Sequence, residues 1–189
     1  IAALDAAQIA AVSTTVLQAL STSQLGALAA ADVAEFTATQ IAALTTTQIK
    51  SLNTTFISGL SDTQVAALTT TQLGSLTTTG LSALEATQSA ALTTTQVRSL
   101  STTQLLALNT TDIGDFTTTQ IAALTNGQAQ SLTATQLGGL ADAQIQALTA
   151  TQLSSMSTTQ VRSLSTDILA AMDTTQIGAF TATQIGAFS

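Results

Sequence analysis

The chain contains no cysteine, no histidine, no proline, no tryptophan and no tyrosine. Each absence removes a class of behaviour. Without cysteine there is no disulfide framework and no thiol chemistry. Without histidine as well, most metal sites, activated nucleophiles and acid–base pairs lose an essential member. Serine and threonine abound, but nothing present could act as their usual base. The reading is therefore of a protein that is not an enzyme, with no catalytic residue and no cofactor. Basic residues are almost as scarce: Lys50, Arg98 and Arg162 stand against ten acids, for a net charge of −7. Nucleic-acid binding needs several phosphate-neutralising cations on one face, so the composition argues against it, and against an anionic membrane surface. No apolar run approaches the roughly 20 residues of a membrane-spanning helix. The five phenylalanines are the only aromatics, which limits both core volume and ligand-stacking surface.

What is present is one unit of eight residues, plain at Leu44-Thr45-Thr46-Thr47-Gln48-Ile49-Lys50-Ser51-Leu52. It recurs without insertion or deletion across residues 1–189, so the sequence reads as a single uninterrupted array with no linker and no second domain. It opens and closes inside its own repeat, as a mature product, a fragment or the ordered part of something longer would. With Ile1 as position 1, that position is Ile, Leu or Val in 22 of 24 occurrences, Ser89 and Ala129 excepted. Position 4 is always apolar. Position 5 is Thr, Ser, Asp or Asn except at Ala29, Glu85 and Ala141, and position 8 is Gln in 17 of 23. Positions 2 and 3 are mostly Ala, Ser or Gly, and all three cations sit at position 2.

This period excludes one continuous helix. Eight residues turn an α-helix through about 800°, so a face kept at that spacing drifts about 80° per repeat. The backbone must change direction once per octad, and the residues mark where. Position 5 holds the N-cap set, with Gln three residues later, which makes Thr45-x-x-Gln48 a capping box. Leu44 and Ile49 then occupy the two sites of a hydrophobic staple. The expected fold is all-α, a solenoid of short capped helices, one per octad. A β-solenoid is the alternative, since Thr and Ile favour strands. Scarce Gly, abundant Ala and Gln, and the lack of strict alternation favour helix. One octad buries too little to offset the ordering of eight residues, so each must stack on its neighbours. The three cations lie at multiples of 16 residues, which two octads per turn would produce; a three-octad turn remains open.

The sharpest polar features are the pairs Asp32/Glu35 and Asp112/Asp115. At this spacing two side chains share a helix face and a divalent cation could bridge them. The competing reading places Asp32 and Asp112 at N3 in place of Gln, favoured by the helix dipole, with Glu35 and Asp115 solvated. Asn53-Thr54-Thr55 and Asn109-Thr110-Thr111 fit a glycosylation sequon, but Asn is also a natural N-cap. The Thr triplets could form a ladder of hydroxyls and methyls, as ice-binding surfaces do, or serve capping alone. Phe180 and Phe188 read as enlarged core residues or as a terminal contact surface.

The unit Leu-Thr-Thr-Thr-Gln-Ile-Ala-Ala-Leu resembles the octad arrays of large repetitive secreted or surface-exposed proteobacterial proteins. That resemblance implies an extracellular or cell-surface location and no chemistry. Leu44-Thr45-x-x-Gln48-Ile49 also resembles the first helix of TAL-effector DNA-reading repeats, but the second helix and base-reading loop are missing, so only the capping solution is shared. The expected function is structural: a filament or stalk built by stacking solenoid repeats, with another copy of the chain as partner. Both end segments, Ile1-Ala2-Ala3-Leu4 and Ile185-Gly186-Ala187-Phe188, are as apolar as the interior, and the scarcity of Lys and Arg leaves trypsin little to cut. The alternative is an adhesin-like binding module whose face holds a protein, glycan or ice ligand. That reading predicts departures from the repeat clustered on one face.

Overall fold

A computed structural model describes residues 5–188, so the end segment Ile1-Ala2-Ala3-Leu4 lies outside the described residues. Those described form 23 α-helices of four to six residues and a closing 3-10 turn at Gly186–Phe188, with no strand among them. Helices this short are unstable alone; local capping and packing hold them. Thr46–Lys50 is representative. Thr45 is extended (φ −72°, ψ 156°), its hydroxyl accepts the Gln48 backbone N–H, and the Gln48 side-chain Oε1 accepts the Thr45 N–H at 2.9 Å. The reciprocal box recurs along the chain, and the staple residues Leu44 and Ile49 are both buried. Each helix ends because the next position 4 turns extended or the next position 5 starts a new cap. No described residue has positive φ, so the corners are made by caps and not by glycine.

The chain divides into two compact units, Ile1–Leu100 and Ser101–Ser189, with no change in the repeat at the boundary. Each unit is an α-solenoid. In the first, Thr46–Lys50 packs on Thr70–Ser75, and that helix on Thr94–Ser99; Ala38–Ala42 packs on Asp62–Ala67, and that on Ala86–Ala91. In the second, Thr102–Ala107, Asn126–Ser131, Ala150–Ser155 and Thr174–Ala179 stack in succession. Stacked partners are three helices apart in the chain. Three octads, not two, therefore complete a turn, and the spacing of the cations by multiples of 16 has no structural counterpart.

Position 1 supplies the core from Ile9 to Val161: Ile49, Leu73 and Val97, for example, are at most 1% exposed. Position 3 is where consecutive turns come closest. A Cβ added to Gly59 would lie 2.6 Å from the Ala30 Cα, and one added to Gly139 would lie 2.8 Å from the Thr110 Cβ. That crowding accounts for the small residues kept there.

Candidate functional site

Glutamine at position 8 does more than close a capping box. The Gln48 side-chain amide donates to the Leu17 carbonyl at 2.8 Å and the Leu20 carbonyl at 2.9 Å. These belong to the end of the helix preceding the same corner, one turn earlier. The last carbonyls of an α-helix have no partner inside it; here a glutamine one turn later supplies the donor. The pattern repeats in the first unit at Gln40, Gln64, Gln72, Gln88 and Gln96. In the second unit it repeats at Gln136, Gln144, Gln152, Gln160, Gln176 and Gln184. One amide thus starts its own helix with its oxygen and finishes another with its nitrogen. Longer side chains at position 2 reach the other way: Gln18, Gln130 and Arg162 donate to the Ala43, Ser155 and Ala187 carbonyls one turn later.

The acidic pairs take their place in this scheme. The Asp32 carboxylate accepts the Ala29 N–H at 3.0 Å, and Asp112 accepts the Asn109 N–H at 3.1 Å. Both act as N3 capping residues, as the second reading of the sequence required. A carboxylate has no N–H, so neither can make the bridge between turns. Glu35 departs from expectation: it is half-buried at crowded position 3, and its Oε2 is shut from solvent without a hydrogen-bond partner. Asp115 is likewise half-buried. Among the described residues no three acids gather as a metal site would need. Both sequon asparagines are caps: Asn53 accepts the Phe56 N–H and donates to the Gly26 carbonyl, and Asn109 accepts from Thr111 and Asp112. Phe180 is buried, whereas Phe188 is 36% exposed and meets its ring edge-on at 5.3 Å.

A turn of three octads sorts the remaining features onto faces. In the first unit Thr45–Thr47, Thr69–Thr71 and Thr93–Thr95 recur one turn apart, and all nine are exposed. The position-5 hydroxyls are used as caps; those at positions 6 and 7 find no hydrogen-bond partner among the described residues. Lys50 lies on this face, beside a cleft of about 370 Å³ lined by Thr46, Thr47, Gly74, Ser75, Leu76 and Thr77. The adjacent face of the unit carries the departures. Position 8 there is Asp32, Phe56 and Gly80 in successive turns, three of the six octads of the sequence that lack Gln at this position. A wider groove of about 460 Å³ on that side is lined by Thr54, Thr55, Ser58, Thr79, Ser82, Ala83 and Glu85. Glu85 does not cap its helix with its side chain.

A family model for the ALTTAQ repeat matches residues 41–78, 90–126 and 156–189, together more than half of the sequence. No curated protein and no solved structure matches the chain.

Proposed function

The chain belongs to the ALTTAQ repeat family, and from that premise we propose a structural role: a solenoid that builds an extracellular or cell-surface filament or stalk by stacking turn on turn. The observation that carries this reading is the bridge between turns: a position-8 glutamine such as Gln72 donates to the Leu44 carbonyl one turn earlier, and a position-4 carbonyl such as that of Leu20 accepts from Gln48 one turn later. These bridges surround the apolar position-1 core, whose members Ile177 and Ile185 are 39% and 48% exposed. A turn built this way offers donors on one side and acceptors around an apolar surface on the other. A further turn of the same kind complements each, whether it comes from neighbouring repeats or from a second copy. Such head-to-tail contacts do not close on themselves and propagate as filaments.

Negative-stain electron microscopy and light scattering over a concentration series test this. The expected outcome is end-to-end oligomers that lengthen with concentration and shorten when Ile177 and Ile185 are both replaced by Lys. Protein that stays monomeric throughout would refute assembly. If the monomer then inhibited ice recrystallisation or retained a glycan, the threonine face would be the better account.

A further inference from the structure

Consecutive turns of the first unit are bridged by glutamine at two of their corners and not at the third. The carbonyls of Val12, Leu20, Phe36, Leu44, Leu60 and Leu68 each accept a glutamine amide from the following turn. The equivalent carbonyls of Leu28 and Leu52 accept no hydrogen bond among the described residues, because Phe56 and Gly80 stand where their glutamines would be. Leu28 and Leu52 are 4% and 7% exposed, and an unpaired carbonyl is costly when buried.

The two gaps are not equivalent. Phe56 is 1% exposed and replaces the amide with apolar packing, and Asn53 donates to the Gly26 carbonyl beside it. In the second unit Ile168, also buried, fills the comparable place. Gly80 fills it with nothing. It sits in the helix Thr78–Leu81, four residues long and the shortest of the first unit, and glycine is the poorest helix former after proline. The 370 Å³ cleft at Gly74–Thr77 opens beside the same corner.

We infer that the corner between Leu52 and the segment Thr77–Gly80 is a compliant joint, the place where the turns of the first unit part before any other. Opening there exposes no unpaired donor, lets water reach the Leu52 carbonyl and breaks no bridge between turns. Parting at either neighbouring corner breaks a glutamine bridge of two or three hydrogen bonds. A solenoid unit carrying such a joint yields locally under bending or tension and recloses, instead of unfolding as a whole.

Hydrogen exchange of the full chain, resolved to single amides, reads this out. The amides of Leu81, Ser82 and Leu84 are expected to exchange about tenfold or more faster than those of Val97 and Leu100, their counterparts at a bridged corner. Two variants separate the bridge from helix propensity. Gly80→Ala improves the helix without supplying an amide, and Gly80→Gln does both. The Cβ meets only the Thr77 hydroxyl closely, at 3.2 Å, so both are expected to fold. Gly80→Gln should slow exchange by about tenfold more than Gly80→Ala, since roughly 1.4 kcal/mol of added hydrogen bonding is a factor of ten. Equal effects of the two variants, or wild-type protection at Leu81–Leu84 matching that at Val97–Leu100, would overturn the joint.

Discussion

At the scale of single residues, the amide of Gln48 explains a choice that capping alone does not. A capping box accepts Glu as readily as Gln at N3, yet no octad here has Glu at that position. The reason is the Nε2 donor, which reaches the Leu17 and Leu20 carbonyls at 2.8 and 2.9 Å. Gln48→Glu keeps the oxygen that caps Thr45 and replaces the donor with a negative charge facing those carbonyls. Gln48 is 3% exposed, so chemical denaturation should show a loss of about 3 kcal/mol or more. Thr45→Ala, which removes only the cap, should cost about 1 kcal/mol. Equal losses would mean the bridge contributes nothing. The preference for Gln over Glu was visible in the sequence, but its meaning was not, because the acceptors lie 28 and 31 residues away. The burial of Glu35 is hidden from the sequence for a similar reason. Its position faces a neighbouring turn, and that is unknown until the length of a turn is known.

At the scale of the helix, caps and staples mark the start of each element in the sequence itself. The box at Thr45 and Gln48 and the staple at Leu44 and Ile49 stand where the octad pattern put them. Both are contacts within one octad, so one octad is enough to read them. Packing between helices is not local, and it divides glycines that look alike. Gly74 has nothing within 4 Å of its added Cβ, whereas that of Gly59 would lie 2.6 Å from the Ala30 Cα. Gly74→Ala should therefore stabilise the protein by up to about 1 kcal/mol through helix propensity. Gly59→Ala should destabilise it by about 1–3 kcal/mol through overpacking. Thermal melts of the two variants check the opposite signs; shifts in the same direction would contradict the close approach at position 3.

At the scale of the whole molecule, the all-α solenoid and its one helix per octad were legible, and the length of the turn was not. The signal was present. The tetrad Thr-Thr-Thr-Gln starts at Thr45, Thr69, Thr93 and Thr117 and nowhere else, a spacing of 24 residues. The three cations, spaced by multiples of 16, point to a different turn that the packing of the helices does not follow. Once the turn is known, the irregular octads at Asp32, Phe56 and Gly80 fall on one face of the first unit, and the threonine triplets fall on the next. The account rests on a three-octad turn held by glutamine amides. Nuclear Overhauser contacts from the Gln48 side-chain amide protons test it most directly, with Gln48→Glu identifying the resonance. Slow exchange and contacts to Leu17 and Leu20 are predicted. Fast exchange, or contacts to Leu25 and Leu28 as a two-octad turn would give, would contradict it.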